Sequence, residues 1–184
     1  AGSGPGHTVP LHEDAVRAGC PVALAKRMVR AAPAAVRRPD DLGRVPFHHV
    51  FLADRKTVEM SSGLVDFLLG CDDLPALEGD ETVREEFELS AAAKDVDGNI
   101  PLHLACGYGA PLNLVRSLVE FYPKGVWEKN DKGTIPSEFC GEKNQLVKKY
   151  FKETYPETEN VAKSRKAERI RPREEETLGE KILK

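Results

Sequence analysis

Two stretches of this chain, 90 residues apart, carry the same landmarks in unbroken register, and nothing else in the sequence restricts the fold as much. Pro21, Leu24, Val29, Pro33, Val36, Asp41, Gly43 and Pro46 meet Pro111, Leu114, Val119, Pro123, Val126, Asp131, Gly133 and Pro136. A constant offset of this kind means that one structural unit is repeated. A middle copy lies between them, where Leu64-Val65-Asp66-Phe67-Leu68-Leu69 follows the pattern of Leu114-Val115-Arg116-Ser117-Leu118-Val119. The glycine closing each unit recurs at Gly43, Gly98 and Gly133, with spacings of 55 and 35 residues. The shorter spacing is the natural unit. The longer one is that unit with an insertion, five residues before Leu64 and the rest in 72–90. Acidic and punctuated by Pro and Gly, 72–90 reads as a surface excursion.

The best-defined unit has the grammar of two short antiparallel helices. Asp95-Val96-Asp97-Gly98-Asn99 is turn chemistry, with Gly98 free to take the positive φ of a turn tip. Pro101 pre-sets φ at a helix start, where its missing N–H costs nothing. Leu102, Leu104 and Ala105 give a short apolar helix that stops at Gly107-Tyr108-Gly109. A second helix is predicted over 111–122, with Leu114, Val115, Leu118 and Val119 on one stripe and Pro123 ending it. Corresponding stripes are expected at Leu24, Met28 and Val29 and at Leu146, Val147, Tyr150 and Phe151. Helices this short are marginal alone, so the units must stack.

Asp95-x-x-Gly98-x-Ile100-Pro101-Leu102-His103-Leu104-Ala105, followed by Gly109 and the Leu-Val-x-x-Leu-Val stripe, closely resembles the ankyrin repeat, D-x-x-G-x-T-P-L-H-x-A with a V-x-x-L-L-type second helix. Looser matches lie at 40–48 and 130–136, and Thr8-Val9-Pro10-Leu11-His12 looks like the start of an N-terminal unit. The resemblance implies an all-α solenoid of helical hairpins with short β-turn fingers. Its units are 8–43, 44–98 with the insertion 72–90, 99–133 and 134–155, the outer two degenerate. A leader, 1–7, precedes the array and a charged extension, 156–184, follows it. Val9, Val45, Ile100 and Ile135 replace the family's threonine, which removes the capping hydroxyl. Ser137 and Glu138 stand where Leu102 and His103 stand one unit earlier, as a polar capping repeat would have it.

Such arrays act by recognition, and the resemblance places the partner-binding residues on the concave face of fingers and first helices. Carried over by position, these are Asp41, Leu42 and Arg44, then Lys94, Val96, Asp97, Asn99, Gly107 and Tyr108, then Lys129, Asp131, Lys132 and Thr134. Tyr108, an aromatic between two glycines, is the expected anchor. The expected function is a non-catalytic interaction module, an adaptor or accessory subunit whose partner is another protein or a multi-subunit complex. It is not expected to be a homo-oligomer.

The competing reading is a metal- or redox-responsive protein. His103 and Cys106 are i, i+3 on a helix, and His48-His49 are adjacent. In the ankyrin frame, however, His48 and His103 are the structural histidine whose ring bridges neighbouring loops. Cys106 and Cys140 fall at small-residue helix contacts. Cys20, Cys71, Cys106 and Cys140 form no C-x-x-C, which argues against a zinc ribbon or a disulfide framework. No G-x-S-x-G, P-loop or phosphate-binding G-x-G-x-x-G marks catalysis, so no enzyme, cofactor or metal is expected. Glu85-Glu86 and Asp72-Asp73 read as solvated loop acids.

Charge and hydropathy narrow the partner class. Lys+Arg 27 against Asp+Glu 30 leaves a net charge of −3, which gives no electrostatic support for nucleic-acid binding. Uncharged apolar runs such as 50–53 fall far short of the ~18–20 residues of a membrane span. The absence of any N-x-S/T sequon, with the dispersed cysteines, favours an intracellular protein, in cytoplasm or organelle. After Pro156, 28 residues carry 8 basic and 7 acidic side chains and no aromatic. That composition predicts a disordered or loosely helical arm. Its Lys163, Arg165, Lys166, Arg169 and Arg171 are read as a basic clamp that wraps a partner.

Overall fold

The computed structural model describes residues 31–52, 81–141 and 144–170, together with Arg27 and Val29. Among these the chain is helical and has no strand. The helices are α1 (Pro46–Leu52), α2 (Glu81–Ala92), α3 (Pro101–Gly107), α4 (Leu112–Phe121), α5 (Pro136–Phe139), α6 (Gln145–Thr154) and α7 (Glu157–Ile170). Two 3-10 turns, Pro33–Arg37 and Pro123–Trp127, occupy equivalent places 90 residues apart, each burying a valine, Val36 or Val126. No described helix is long and apolar enough to cross a membrane.

Three five-residue turns, 40–44, 95–99 and 130–134, set the frame. In each, the first side chain turns its Oδ1 onto the backbone N–H groups two and four residues ahead. Asp40 accepts from Leu42 and Arg44 at 2.8 Å each, and Asp95 from Asp97 at 3.0 Å and Asn99 at 2.8 Å. Asn130 accepts from Lys132 at 3.1 Å and Thr134 at 2.9 Å. Such side-chain bonds are why Asp and Asn open turns. Gly43, Gly98 and Gly133 then hold φ of 70°, 73° and 70°, the left-handed region that other residues enter at a cost.

Each turn delivers the chain into a first helix through a buried β-branched residue, Val45, Ile100 or Ile135. The hydroxyl lost there is made good by other groups. The Val45 N–H donates to His48 Nδ1 at 3.1 Å, the Ile100 N–H to His103 Nδ1 at 3.2 Å, and the Ile135 N–H to Glu138 Oε2 at 3.1 Å. First helices meet one another, α1 with α3 and α3 with α5. Second helices meet as well, α2 with α4 and α4 with α6. On α4 the predicted stripe of Leu114, Val115, Leu118 and Val119 is buried, and Tyr122 lies just past its end.

Three readings are corrected. The part of 72–90 that the structure describes is no surface excursion: it enters α2, whose Phe87 and Ala91 are core residues. Phe87 stacks between Phe47 at 5.9 Å and Phe121 at 6.2 Å, and Ser90 Oγ donates to the Val36 carbonyl at 2.7 Å. Glu86 is accordingly on a helix and takes Arg37 Nε at 2.7 Å. The second-helix stripe at 64–69 lies outside the described residues, as do the leader and the N-terminal unit up to residue 26. On α6, Val147 and Phe151 are buried but Leu146 is 68% exposed, because its neighbour one position on takes the place facing α4. The tail is likewise no loose arm as far as residue 170. Glu157 and Glu159 lie in the first turn of α7, where acids suit the helix dipole. Beside them, Thr158 Oγ1 donates to the Tyr155 carbonyl at 2.8 Å.

Candidate functional site

The turns do more than start helices, because they are bonded to each other. The Val96 N–H donates to the Leu42 carbonyl at 3.0 Å, and the Asp131 N–H to the Asp97 carbonyl at 3.1 Å. Histidines lock the next layer. His48 Nδ1 is an acceptor, so the ring proton sits on Nε2, which donates to the Asn99 carbonyl at 2.9 Å. His103 repeats this one unit on, donating to the Thr134 carbonyl at 2.9 Å. Both rings are buried, and both are kept neutral. Burial, against a counter-pull from the Asn99 carbonyl and Asp95, lowers the His48 pKa to about 4, and burial lowers that of His103 too.

This arrangement leaves neither histidine a nitrogen for a metal, since each ring spends both on backbone groups. Among the described residues no three His, Cys, Asp or Glu side chains gather as a metal site would need. Cys106 and Cys140 are free thiols joined by a hydrogen bond; burial pushes the Cys106 thiol well up, while that hydrogen bond holds Cys140 below its ordinary value.

The residues that the turn frame does not consume are the two between its first side chain and its glycine. Those pairs are Asp41-Leu42, Val96-Asp97 and Asp131-Lys132, and all six are exposed. Leu42 is 44% exposed and Val96 59%, neighbours through the bond between their turns. Tyr108 follows α3 at 61% exposure, just before Gly109, whose φ is 77°. Lys94 and Lys129 are exposed at the turn bases, where Lys94 Nζ lies 3.0 Å from Glu128 and donates to the Lys129 carbonyl at 3.4 Å. Arg44 is half-buried, and Gly107 is exposed near the Phe139 ring.

Three expected partner residues have other work. Asn99 is buried: its Nδ2 reaches Asp95 at 3.3 Å, its Oδ1 takes Asn130 Nδ2 at 2.8 Å, and its carbonyl takes His48. Thr134 gives its carbonyl to His103 and its hydroxyl to Arg165. Arg165 itself is turned inward from α7. Its guanidinium donates to Thr134 Oγ1 at 2.6 Å, to Glu138 Oε2 at 3.2 Å and to the Lys132 carbonyl. Glu138 has replaced the bridging histidine, and Arg165 pairs with it where a histidine at 138 would otherwise bond to a following unit. Lys163 is exposed and pairs with Glu159 at 3.4 Å. The side chains of Lys166 and Arg169, and the whole of Arg171, lie outside the described residues. The pairing of Glu138 with Arg165 was missed, and only the Glu at the histidine position hinted at it.

The cost of losing that closure can be measured. Arg165→Ala should lower the unfolding free energy by about 1.5 to 3 kcal/mol, the usual worth of hydrogen bonds to a charged group. Urea denaturation checks it, and a change within error would mean that α7 does not cap the last unit.

No protein-family model matches this chain, and a search of curated proteins finds none that matches it.

Proposed function

We propose that this chain is a non-catalytic protein-interaction module of the ankyrin type, an adaptor or accessory subunit that holds a partner protein on its turn tips and the exposed ends of its first helices. The reading rests on one observation: a frame repeated in three turns carries exposed tip pairs that differ in residue, an acid with an aliphatic in two of them and an acid with a lysine in the third. A constant scaffold with variable tips is how recognition surfaces are built on rigid elements. The row-by-row contacts of first with first and second with second helices support a stacked array. Leu42, Val96 and Tyr108 supply the apolar anchors, and Asp41, Asp97, Asp131 and Lys132 surround them with charge. Lys94 and Lys129 extend the surface at the turn bases. α7 serves this surface by fixing the last turn, and Lys163 is its described contribution to the outer face.

The test is affinity purification from the native source, followed by Kd measurement with each recovered protein. Val96→Asp with Tyr108→Ala should weaken the true partner by roughly 30-fold or more, as removal of two interface anchors does. Asn113→Ala, exposed on α4, should change nothing. A partner that binds both variants alike would remove the tips from the function.

A further inference from the structure

Two thiols meet in the core, and neither the turn frame nor the tips use them. Cys106 lies on α3, and Cys140 directly follows α5 in the next unit. The two side chains are hydrogen-bonded to each other. Contacts on either side hold them there. Phe139, beside Cys140, sets its ring edge-on to His103 with centroids 5.2 Å apart. A Cβ placed on Gly107, beside Cys106, would meet Phe139 Cδ1 at 3.3 Å, so the two helices are already in close contact. Only a short closing movement separates such a pair from an S–S bond of about 2.05 Å. Sulfurs kept together by packed helices react as an intramolecular pair.

The two sulfurs are not equivalent. Cys106 is 0% exposed, whereas Cys140 is 6% exposed and is followed by the exposed Gly141. At Cys140 the hydrogen bond from Cys106 outweighs burial, and the charge of Lys148 acts in the same direction. A hydrogen bond to the sulfur and a nearby cation are what make a cysteine nucleophilic. Cys140 therefore meets a small oxidant first, and Cys106 stands behind it as the resolving thiol.

We propose that Cys140 and Cys106 form a dithiol–disulfide switch, driven by hydrogen peroxide, that staples the last unit to the one before it. The Cys140 thiolate attacks one peroxide oxygen, the O–O bond breaks, and Cys140 becomes a sulfenic acid as hydroxide leaves. The Cys106 sulfur then attacks the Cys140 sulfur. The S–O bond breaks, the Cys106 proton goes to the departing hydroxide, and the S–S bond forms. In sum, two thiols and one hydrogen peroxide become one disulfide and two waters, the two electrons passing to the peroxide. A dithiol reductant reverses the bond by exchange. The switch does not depend on the interaction reading.

The test treats the full chain with equimolar hydrogen peroxide, alkylates the remaining thiols and maps the products after trypsin. Cys106 falls in the fragment 95–116 and Cys140 in 133–143, while Cys20 and Cys71 lie in two others. Fragment 95–116 should be joined to 133–143, and dithiothreitol should part them. The oxidised chain should unfold at a urea midpoint higher by about 1 M or more, because the new bond restricts the unfolded chain. Cys106→Ser should stop at the Cys140 sulfenic acid, trapped by dimedone, whereas Cys140→Ser should leave Cys106 unlabelled. Lys148→Gln keeps both thiols, so it serves even where a cysteine variant melts early. It should slow the cross-link about threefold by removing the nearby charge. A different pairing or none, a cross-link that forms only in urea, or a lower midpoint after oxidation would each overturn the proposal.

Discussion

Gly98→Ala should cost about 3 to 5 kcal/mol of unfolding free energy, while Gly43→Ala costs about 1 to 2. The two glycines share a left-handed φ, 73° and 70°, so the backbone penalty of a Cβ is the same at both. Their surroundings differ. A Cβ at Gly43 would find its nearest atoms at 3.4 Å, ordinary contact. At Gly98 it would lie 2.4 Å from Asp131 Oδ1 and 2.8 Å from the Asp131 backbone nitrogen. That nitrogen is the donor to the Asp97 carbonyl, so the clash falls on the bond joining two turns. Asp131→Ala in the Gly98→Ala background should recover part of the loss, because it clears the carboxylate and leaves the backbone contact. Urea denaturation of the four proteins decides it. Equal costs at Gly43 and Gly98 would mean that the turns are not packed as described.

What the sequence disclosed and what it hid follow one physical division. Turn frames and the α4 stripe are local: an Asx three residues before a glycine, or apolar residues at helical spacing, state their geometry within a few positions. The tips were legible for the same reason, since a turn's middle residues have nowhere to go but outward. Asn99 and Thr134 were misread because the partners that bury them, Asn130 and Arg165, each lie 31 residues away, and a polar residue beside a turn looks alike whether it faces solvent or Asn130. Phe87 was hidden by composition. Among the described side chains of an acidic helix it is the one large core residue, set beside Ala91 and a serine satisfied by Val36. Arg165 was read as part of a clamp for a partner because no local pattern reveals that Glu138 awaits it.

The histidine bridges make the chain acid-labile in a definite window. From above pH 6.5 down to about pH 4 it should lose on the order of 3 kcal/mol through His48 alone, at ~1.4 kcal/mol for each unit by which its pKa is depressed. The sign follows from proton counts. An unfolded histidine takes its proton near pH 6.5, whereas folded His48 refuses it until about pH 4. Between these values the unfolded chain binds more protons, so stability falls as pH falls, and it is fully present above 6.5. His103, lowered by the same burial, adds a loss of the same sign. Asp40 acts later. Burial opposes its charge, but the Arg44 and Leu42 N–H groups outweigh that and hold its carboxyl below the usual 3.8.

The structural reason is that protonation puts a hydrogen on Nδ1, where the Val45 N–H already points, turning an acceptor into a clashing donor. His48→Ala separates this from general acid sensitivity. It should lower stability near pH 7.5 by about 2 to 4 kcal/mol, since the Val45 N–H and the Asn99 carbonyl lose their partner. It should also flatten the curve between pH 6.5 and 4, so that the variant and the parent converge in acid. Urea midpoints at pH 7.5, 5.5 and 4.2 test both halves. A parent chain that keeps its stability to pH 4.2, or a variant with an unchanged slope, would show that the rings do not hold successive units together. If the slope is as expected, partner binding at the tips should weaken over the same range, because the bridge that fails is the one fixing one turn's height against the next.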